Sequence, residues 1–129
     1  MKPRDMRNEG HVKDATKKQF RAVGAWWVMH VPVGYGKDGV PDFVACINGR
    51  VVAVETKHRT NTASAAQLRE LKEVVASGGV GIVVNEEGLD DLWEIVQQVA
   101  KNPLGFTSDV WINLCWDRRG NRIAHGRKK

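Results

Sequence analysis

The dipeptide Asn48-Gly49 constrains this chain more than any other local feature, because it separates two short apolar runs. Phe43–Ile47 precedes it, and residues 51–54 follow it. A two-residue hairpin loop of type I′ needs positive φ at both central positions, and Asn followed by Gly tolerates this best. The sequence therefore predicts a β-hairpin in the stretch DFVACINGRVVAVETK, residues 42–57.

The register of this hairpin follows from its two-residue loop. Ile47 then pairs with Arg50, and counting back along both strands sets Asp42 opposite Glu55. Directly opposed residues have Cβ atoms about 5 Å apart on one face of the sheet. Lys57 lies two residues beyond Glu55, so its side chain projects from the same face. The open end of the hairpin is thus predicted to bring two carboxylates and an amine together.

Two opposed carboxylates repel each other, and the sequence leaves four ways to tolerate them. Either one carboxyl keeps its proton at a raised pKa, or Lys57 offsets the pair, or a hard divalent cation bridges it, or both acids face solvent. An amine beside a divalent cation can orient or deprotonate a water molecule and offset charge that develops on a phosphate. Asp42, Glu55 and Lys57 therefore suit phosphodiester hydrolysis. The opposing interpretation makes Lys57 a surface lysine paired with Glu55.

The rest of the chain predicts alternating helices and strands. Apolar residues at helical spacing indicate helices over residues 8–23, 64–77 and 89–100, and the second begins with a capping box, Ser64-x-x-Gln67. The predicted buried stripes are Val12, Ala15, Phe20 and Val23 in the first helix and Ala65, Leu68, Leu71, Val74 and Val75 in the second. Further strands are indicated over residues 25–31, 80–84 and 110–116. The order α-β-β-β-α-β-α-β predicts a mixed sheet flanked by helices, in the α/β or α+β class.

Composition limits the class of protein. The 129 residues suit one domain, predicted to span residues 1–117, with a basic tail at 118–129. No apolar run approaches about 20 residues, so we expect no membrane span, and the N-terminus lacks the apolar stretch of a secretory signal. Cys46 and Cys115 lie in apolar runs, and we expect both to be buried free thiols of a cytoplasmic protein. Clustered Cys and His residues are too few for a zinc site.

Charge is distributed unevenly along the chain. Residues 1–21 carry a net +4 and residues 118–129 a net +6, whereas residues 22–117 carry a net −5. Basic ends favour a polyanionic partner, and an acidic centre in such a protein favours a bound cation. The run GYGKDG (34–39) has the glycine spacing of a dinucleotide site, but a proline and a strand follow it where that site needs a helix. We therefore expect a loop at the mouth of the site and no nucleotide cofactor.

The stretch GVPDFVACINGRVVAVETK resembles the PD-(D/E)xK nuclease motif, with Pro41-Asp42 as its first half and Glu55-Thr56-Lys57 as its second. The following SAAQLRELKEVVASGGVGIVV is similar to the VRR-NUC (virus-type replication-repair nuclease) subfamily, in which Ser-x-x-Gln opens a helix that precedes a strand. The resemblance covers about residues 9–84. It implies a restriction-endonuclease-like fold, a role in DNA repair, a phage or prophage origin, and Mg²⁺- or Mn²⁺-dependent cleavage of DNA, often branched DNA such as a Holliday junction.

The resemblance also implies a role for each residue of the motif. Asp42, Glu55 and the main-chain carbonyl of Thr56 would bind the metal, and Lys57 would handle the attacking water. Gln67 would lie near the metal or the phosphate, although it also fits the capping box alone.

An acidic residue of the first helix completes the metal site in the resemblance. Glu9 matches this position, and Asp5 and Asp14 compete with it. The ordinary alternative for Glu9 is a first-turn acid that the helix dipole stabilises.

Four residues near the motif are candidate DNA contacts. Tyr35 and Lys37 lie in the glycine-rich loop, and His58 and Arg59 directly follow the motif lysine. The opposing interpretation is that all four are solvent-exposed loop residues.

A homodimer is expected because two active sites suit a two-fold branched substrate. Within Trp26-Trp27 one ring must face outward from the strand, where it can serve a dimer contact. Two alternatives to a nuclease stay open at this point. One is a noncatalytic nucleic-acid-binding module with the same fold, and the other is a structural protein whose acid pair is incidental.

Overall fold

The computed structural model describes residues 9–31, 36–59 and 61–112. Three α-helices and five β-strands form within them, and the predicted order and α+β class are confirmed. In chain order the elements are α1 (Glu9–Ala22), β1 (Trp26–Met29), β2 (Phe43–Ile47), β3 (Arg50–Thr56), α2 (Ala65–Ala76), β4 (Val80–Val84), α3 (Leu89–Lys101) and β5 (Val110–Ile112). A single 3₁₀ turn, Glu86–Gly88, leads into α3 and was not predicted.

The five strands form one mixed sheet in the order β1-β2-β3-β4-β5. β1, β2 and β3 pair antiparallel, whereas β3, β4 and β5 pair in parallel. Parallel neighbours need a crossover connection, and α2 and α3 are the two crossovers. α2 packs on one face of the sheet, and α1 and α3 pack on the other. The parallel half of the sheet is therefore enclosed between two helical layers.

The hairpin forms as the Asn48-Gly49 dipeptide predicts. Asn48 has a φ of 50° and Gly49 a φ of 90°, both in the left-handed region that this loop requires. Ile47 pairs with Arg50, and the predicted register continues along the whole of β2. A slip by one residue would turn every buried side chain of β2 and β3 to the wrong face. The turn and the core thus fix the same register.

The first helix is anchored firmly to the sheet. Val12 and Phe20 are fully buried, and the Phe20 ring packs against Trp27 and Phe43 with centroids 6.3 Å and 5.9 Å away. Each buried side chain of this size contributes about 1.5–3 kcal/mol. Thr16 is also buried, and its hydroxyl donates to the Val12 carbonyl at 2.8 Å, so this buried hydroxyl has a hydrogen-bond partner. The backbone of α1 therefore has a fixed position beside the sheet.

Two predictions about burial are wrong. Ala65 is exposed, because α2 meets the sheet through Leu71 and its neighbours further along the helix. Cys46 is half-buried and not buried, because it lies on the part of the sheet face that α2 does not cover. Its partners in the adjacent strands, Trp26 and Val51, are exposed on that same face. The prediction that one tryptophan of the pair faces outward is confirmed for Trp26.

Arg50, the first residue of β3, ties the turn end of the hairpin to two distant loops. Its buried guanidinium donates to the Gly78 carbonyl at 2.7 Å and to the Ser108 hydroxyl at 2.7 Å. It also donates to the carbonyls of Pro103 and Phe106. A buried guanidinium is stable only where its N–H groups find acceptors. These bonds hold the end of the sheet that is opposite the predicted site.

Some predictions fall on residues outside the described ranges. These are Asp5, Tyr35, Cys115, the strand end at 113–116 and the basic tail at 118–129. The division into a domain and a tail therefore stays a prediction. Within the described residues no helix is long and apolar enough to cross a membrane.

Candidate active site

The candidate site lies at the open end of the hairpin, where three strand ends meet. Asp42 directly precedes β2, Glu55 and Thr56 end β3, and Lys57 follows at once. The Lys57 N–H donates to the Val84 carbonyl at 2.8 Å, which extends the pairing of β3 with β4. On the other side, the His30 N–H donates to the Asp42 carbonyl at 2.8 Å. Backbone bonds therefore fix the positions from which the site side chains start.

Alternation along β3 distributes the site between the two faces of the sheet. Glu55 reaches α2, where its carboxylate accepts a hydrogen bond from Gln67. Thr56 points to the opposite face, where its hydroxyl accepts from Lys13 of α1 at 3.1 Å. The site is thus built at the end of the sheet from both helical layers.

Asp42 joins these two halves. Its backbone N–H donates to Glu55 Oε1 at 3.3 Å. Its Oδ2 accepts from the Thr56 N–H at 2.9 Å and from the Thr56 hydroxyl, and lies 3.4 Å from the Lys13 ammonium. The predicted closeness of Asp42 and Glu55 is confirmed. Their carboxylates do not simply face each other across the strands as predicted, because Thr56 offers two donors that turn the Asp42 carboxylate toward it.

Glu55 is the most strongly perturbed acid of the site. The residue is 2% exposed, and its Oε2 accepts from Gln67 Nε2 at 2.9 Å and lies 3.5 Å from the Lys57 ammonium. Burial, and then the negative charge of Asp42, raise the pKa of Glu55 to about 7, although Lys57 opposes the shift. The same-face placement of Glu55 and Lys57 is as predicted. Two of the four predicted ways to tolerate the acid pair therefore occur together. Glu55 has a raised pKa, and Lys57 lies beside it.

Gln67 serves two functions at once. Its Oε1 accepts from the Ser64 N–H at 2.8 Å while the Ser64 hydroxyl accepts from the Gln67 N–H at 3.1 Å, so the predicted capping box forms. The other end of the same amide, Nε2, donates to Glu55. The cap and the site contact are therefore compatible, and the start of α2 is fixed relative to the buried carboxylate.

The loop before Asp42 is pressed against the same helical turn. Gly39 has a φ of +80°, and a Cβ on it would lie 2.5 Å from the Ala66 carbonyl group. Lys37 lies in the same loop and pairs with Glu70 of α2 at 2.9 Å. Glycine therefore lets the chain that leads into Asp42 approach the helix that carries Gln67.

No protein-family model matches the chain, and no curated protein matches it. Among solved structures, one described as "VRR_NUC domain" superposes with a TM-score of 0.53 and is 26% identical. The match covers 73% of this chain and 95% of that structure. The chain is therefore similar in fold to a VRR-NUC nuclease domain. The resemblance that the hairpin and its motif predicted is confirmed, and with it the restriction-endonuclease-like arrangement of a mixed sheet between helices.

The VRR-NUC-like domain places the predicted DNA contacts at the edge of this site. Arg59 has a φ of 59°, which is unusual for a side chain of this size. Glu86 accepts the Arg59 N–H at 3.0 Å and Asn85 donates to the Arg59 carbonyl at 3.0 Å, so the end of β4 holds this conformation. The Arg59 guanidinium donates to its neighbour His58 at 3.4 Å, and Arg59 is exposed. Lys37 is also exposed despite its ion pair, and the DNA roles of all three residues stay predictions.

Lys13 is the site residue that sequence analysis missed. Its ammonium contacts both Asp42 and Thr56. The sequence placed it only off the apolar stripe of the first helix, a position that usually means a solvated lysine. Asp14, the competitor of Glu9, is exposed and pairs with Lys17 at 3.7 Å. Glu9 begins α1, one helical turn before Lys13, and its metal-binding role stays a prediction.

Proposed function

We propose that this VRR-NUC-like domain is a Mg²⁺- or Mn²⁺-dependent endodeoxyribonuclease that hydrolyses phosphodiester bonds in branched DNA, such as a Holliday junction. The observation that supports it most is the convergence of four motif residues, Asp42, Glu55, Lys57 and Gln67, at one strand end. Glu55 contacts Lys57 and Gln67 through one carboxylate oxygen and the Asp42 backbone through the other. The similarity to a VRR-NUC domain supports a nuclease-like function. The geometry of the site supports assigning that function to these residues.

The donor set suits a hard divalent cation. Among the described residues no cluster of three His, Cys, Asp or Glu side chains forms, and the site offers the two carboxylates of Asp42 and Glu55. Mg²⁺ typically takes one or two carboxylates and fills its other positions with water and phosphate oxygens. The raised pKa of Glu55 marks a buried acid that a nearby cation would ionise. We propose the Thr56 carbonyl and Glu9 as further ligands, as the resemblance implies.

A divalent ion bound there would polarise the scissile phosphate and lower the pKa of an attacking water. The protein residues then have separate tasks. Lys57 orients that water from the side of Glu55 and offsets the negative charge that grows on the phosphate. Gln67 holds the Glu55 carboxylate in place through its amide. Thr56 holds Asp42 through two donors.

The DNA backbone would approach over the exposed Lys37 and Arg59 and the half-buried His58 around the site. His58 and Arg59 leave β3 directly after Lys57, and Lys37 lies on the loop before Asp42. Contacts of this kind position a backbone without reading its sequence. They suit recognition of a DNA shape such as a branch.

We further propose a homodimer formed through an apolar patch on β1 and its neighbours. Trp26, Val28 and Val51 are 63%, 46% and 43% exposed and lie on the sheet face beside α2. β1 is also an edge strand of the sheet that the described residues form. An apolar edge of this type favours pairing with a second chain.

Sedimentation tests the proposed dimer. We expect the wild type to sediment as a dimer and Trp26→Lys to sediment as a monomer. Leu104→Lys alters an equally apolar but separate exposed residue and should leave the dimer intact.

Cleavage assays test the nuclease itself. Linear duplex, forked DNA and four-way junctions are incubated with the protein and Mg²⁺ or Mn²⁺. We expect cutting that prefers branched substrates and that falls at least about a hundredfold in Asp42→Ala and Lys57→Ala. Unchanged cutting by both variants would exclude this mechanism. Tight DNA binding by a folded wild type that cuts no substrate would favour the noncatalytic module.

A further inference from the structure

We propose that Lys13 of α1 is a positioning residue that competes with the divalent cation for Asp42 and so sets the metal concentration at which the site fills. This inference rests on the proposed function. The Lys13 ammonium lies 3.4 Å from Asp42 Oδ2 and 3.1 Å from the Thr56 hydroxyl. A lysine is therefore held against the carboxylate that is the first candidate metal ligand.

Each of the two lysines at the site contacts a different acid. Lys57 lies on the α2 side against Glu55, and Lys13 lies on the α1 side against Asp42. Each ammonium offsets part of the repulsion between the buried Glu55 and the half-buried Asp42. Lys57 directly follows β3, the strand that carries Glu55 and Thr56. Lys13 reaches the site from a separate element, 29 positions before Asp42 in the chain.

Electrostatic repulsion makes it unfavourable for the Lys13 ammonium and a divalent ion to contact Asp42 at the same time. Two cations within about 4 Å repel strongly when neither is fully in water. The Lys13 and Asp42 side chains are only 26% and 19% exposed, so solvent screens them incompletely. A metal that binds Asp42 must therefore push the ammonium away or accept the repulsion, and both weaken metal binding.

The Lys13 side chain can change its rotamer while α1 stays anchored to the sheet by its buried residues. Val12 and Thr16, on either side of Lys13 along the buried face of α1, are fully buried. The ammonium, in contrast, is carried on four methylene groups with many rotamers. Displacement by a metal therefore requires rotation of one side chain and no movement of α1. Lys13 acts as a replaceable cation that stabilises Asp42 until a divalent ion arrives.

Metal affinity tests this inference without reference to cleavage. Mn²⁺ binding is titrated by calorimetry and electron paramagnetic resonance in wild type, Lys13→Met, Lys13→Arg and Lys18→Met. Lys18→Met removes the same charge from an exposed position of the same helix and controls for net charge. We expect Lys13→Met to bind Mn²⁺ at least about threefold more tightly than Lys18→Met. Lys13→Arg keeps the cation and should bind as weakly as wild type or more weakly.

Thermal melting in a chelator supplies the second readout. Lys13→Met should melt below Lys18→Met without metal and show the larger rise when Mn²⁺ is added, because Asp42 has lost its internal cation. Equal or weaker Mn²⁺ binding by Lys13→Met, beside normal binding by the wild type, would overturn the inference and leave the proposed function standing. A wild type that binds no Mn²⁺, or an Asp42→Ala protein that binds it unchanged, would overturn the proposed metal site and this inference with it.

Discussion

Glu55 combines nearly complete burial with a carboxylate neighbour and a lysine, and its protonation therefore affects stability. Its folded-state pKa, about 7, is raised above the ordinary value of 4.5. Between these values the folded protein keeps a proton that the unfolded chain releases, so raising the pH destabilises the fold. In a chelator we expect unfolding free energy to fall by roughly 1–2 kcal/mol between pH 5 and pH 8.

Glu55→Gln supplies the comparison for this pH dependence. Glutamine keeps the shape of the side chain and carries no titrating proton. Urea unfolding of the variant should show a smaller fall between the two pH values and higher stability than wild type at pH 8. Parallel pH curves for the two proteins would contradict the raised pKa.

Ser64 and Gln67 allow the helix cap to be separated from the site. Ser64→Ala removes the cap acceptor and should cost about 1 kcal/mol of stability while leaving the Gln67–Glu55 bond in place. Gln67→Ala should cost a similar amount and also weaken Mn²⁺ binding about tenfold, because Glu55 loses the donor that orients it. Denaturant unfolding and Mn²⁺ titration of both variants check this. Equal metal affinities would show that Gln67 is a cap alone.

At the scale of elements, the hairpin was predictable because a two-residue loop sets its register locally. The helix starts, the α2 cap and the strand order along the chain were also local, and they are confirmed. Contacts between separate elements were not predictable in the same way. Lys13 meets Asp42 and Arg50 meets Pro103 only because the helices pack at particular places on the sheet. No spacing in the sequence encodes those distances.

The approach of the 36–41 loop to α2 gives a prediction about two elements. Gly36 and Gly39 both have positive φ, but only Gly39 would place a Cβ against the Ala66 backbone. Gly36→Ala should cost about 1–2 kcal/mol for its backbone conformation. Gly39→Ala should cost clearly more and weaken Mn²⁺ binding as well, since the loop that leads into Asp42 must move away from Gln67.

Denaturant unfolding and Mn²⁺ titration of the two glycine variants compare their stabilities and their metal affinities. Gly36→Ala is the control, because its alanine is strained by the positive φ but meets no neighbouring atoms. Indistinguishable stabilities and metal affinities would mean that the loop relaxes freely and that its close packing does not position Asp42.

At the scale of the whole molecule, both faces of the parallel half of the sheet are covered by helices, whereas one face of the antiparallel half is open. The site lies at the strand ends where both helical layers reach it, and the apolar patch lies on the open half. This layout separates the candidate site from the proposed dimer contact. The alternation of predicted helices and strands indicated a mixed sheet flanked by helices, but it did not indicate which face each helix covers, because that depends on the handedness and packing of each connection.

Charge is the property of the whole chain that most directly concerns DNA. Residues 118–129 carry six Lys or Arg and no acid, beside a central region of net −5. Binding of basic residues to phosphates releases counterions, so affinity falls with salt in proportion to the number of contacts. We expect deletion of residues 118–129 to weaken junction binding at least about tenfold near 0.1 M salt and to make its salt dependence less steep.

The deletion should leave chemistry at the site unchanged. Mn²⁺ affinity and the cleavage rate at saturating DNA are therefore expected to match those of the intact chain, because the site residues all lie within residues 9–67. Replacing the six basic residues with Gln in the 129-residue chain separates charge from length and should reproduce the loss of DNA affinity. Fluorescence anisotropy at several salt concentrations gives the slope for each protein. Unchanged slopes would mean that phosphate contacts come from the domain itself, and His58, Arg59 and Lys37 would then be the first residues to substitute.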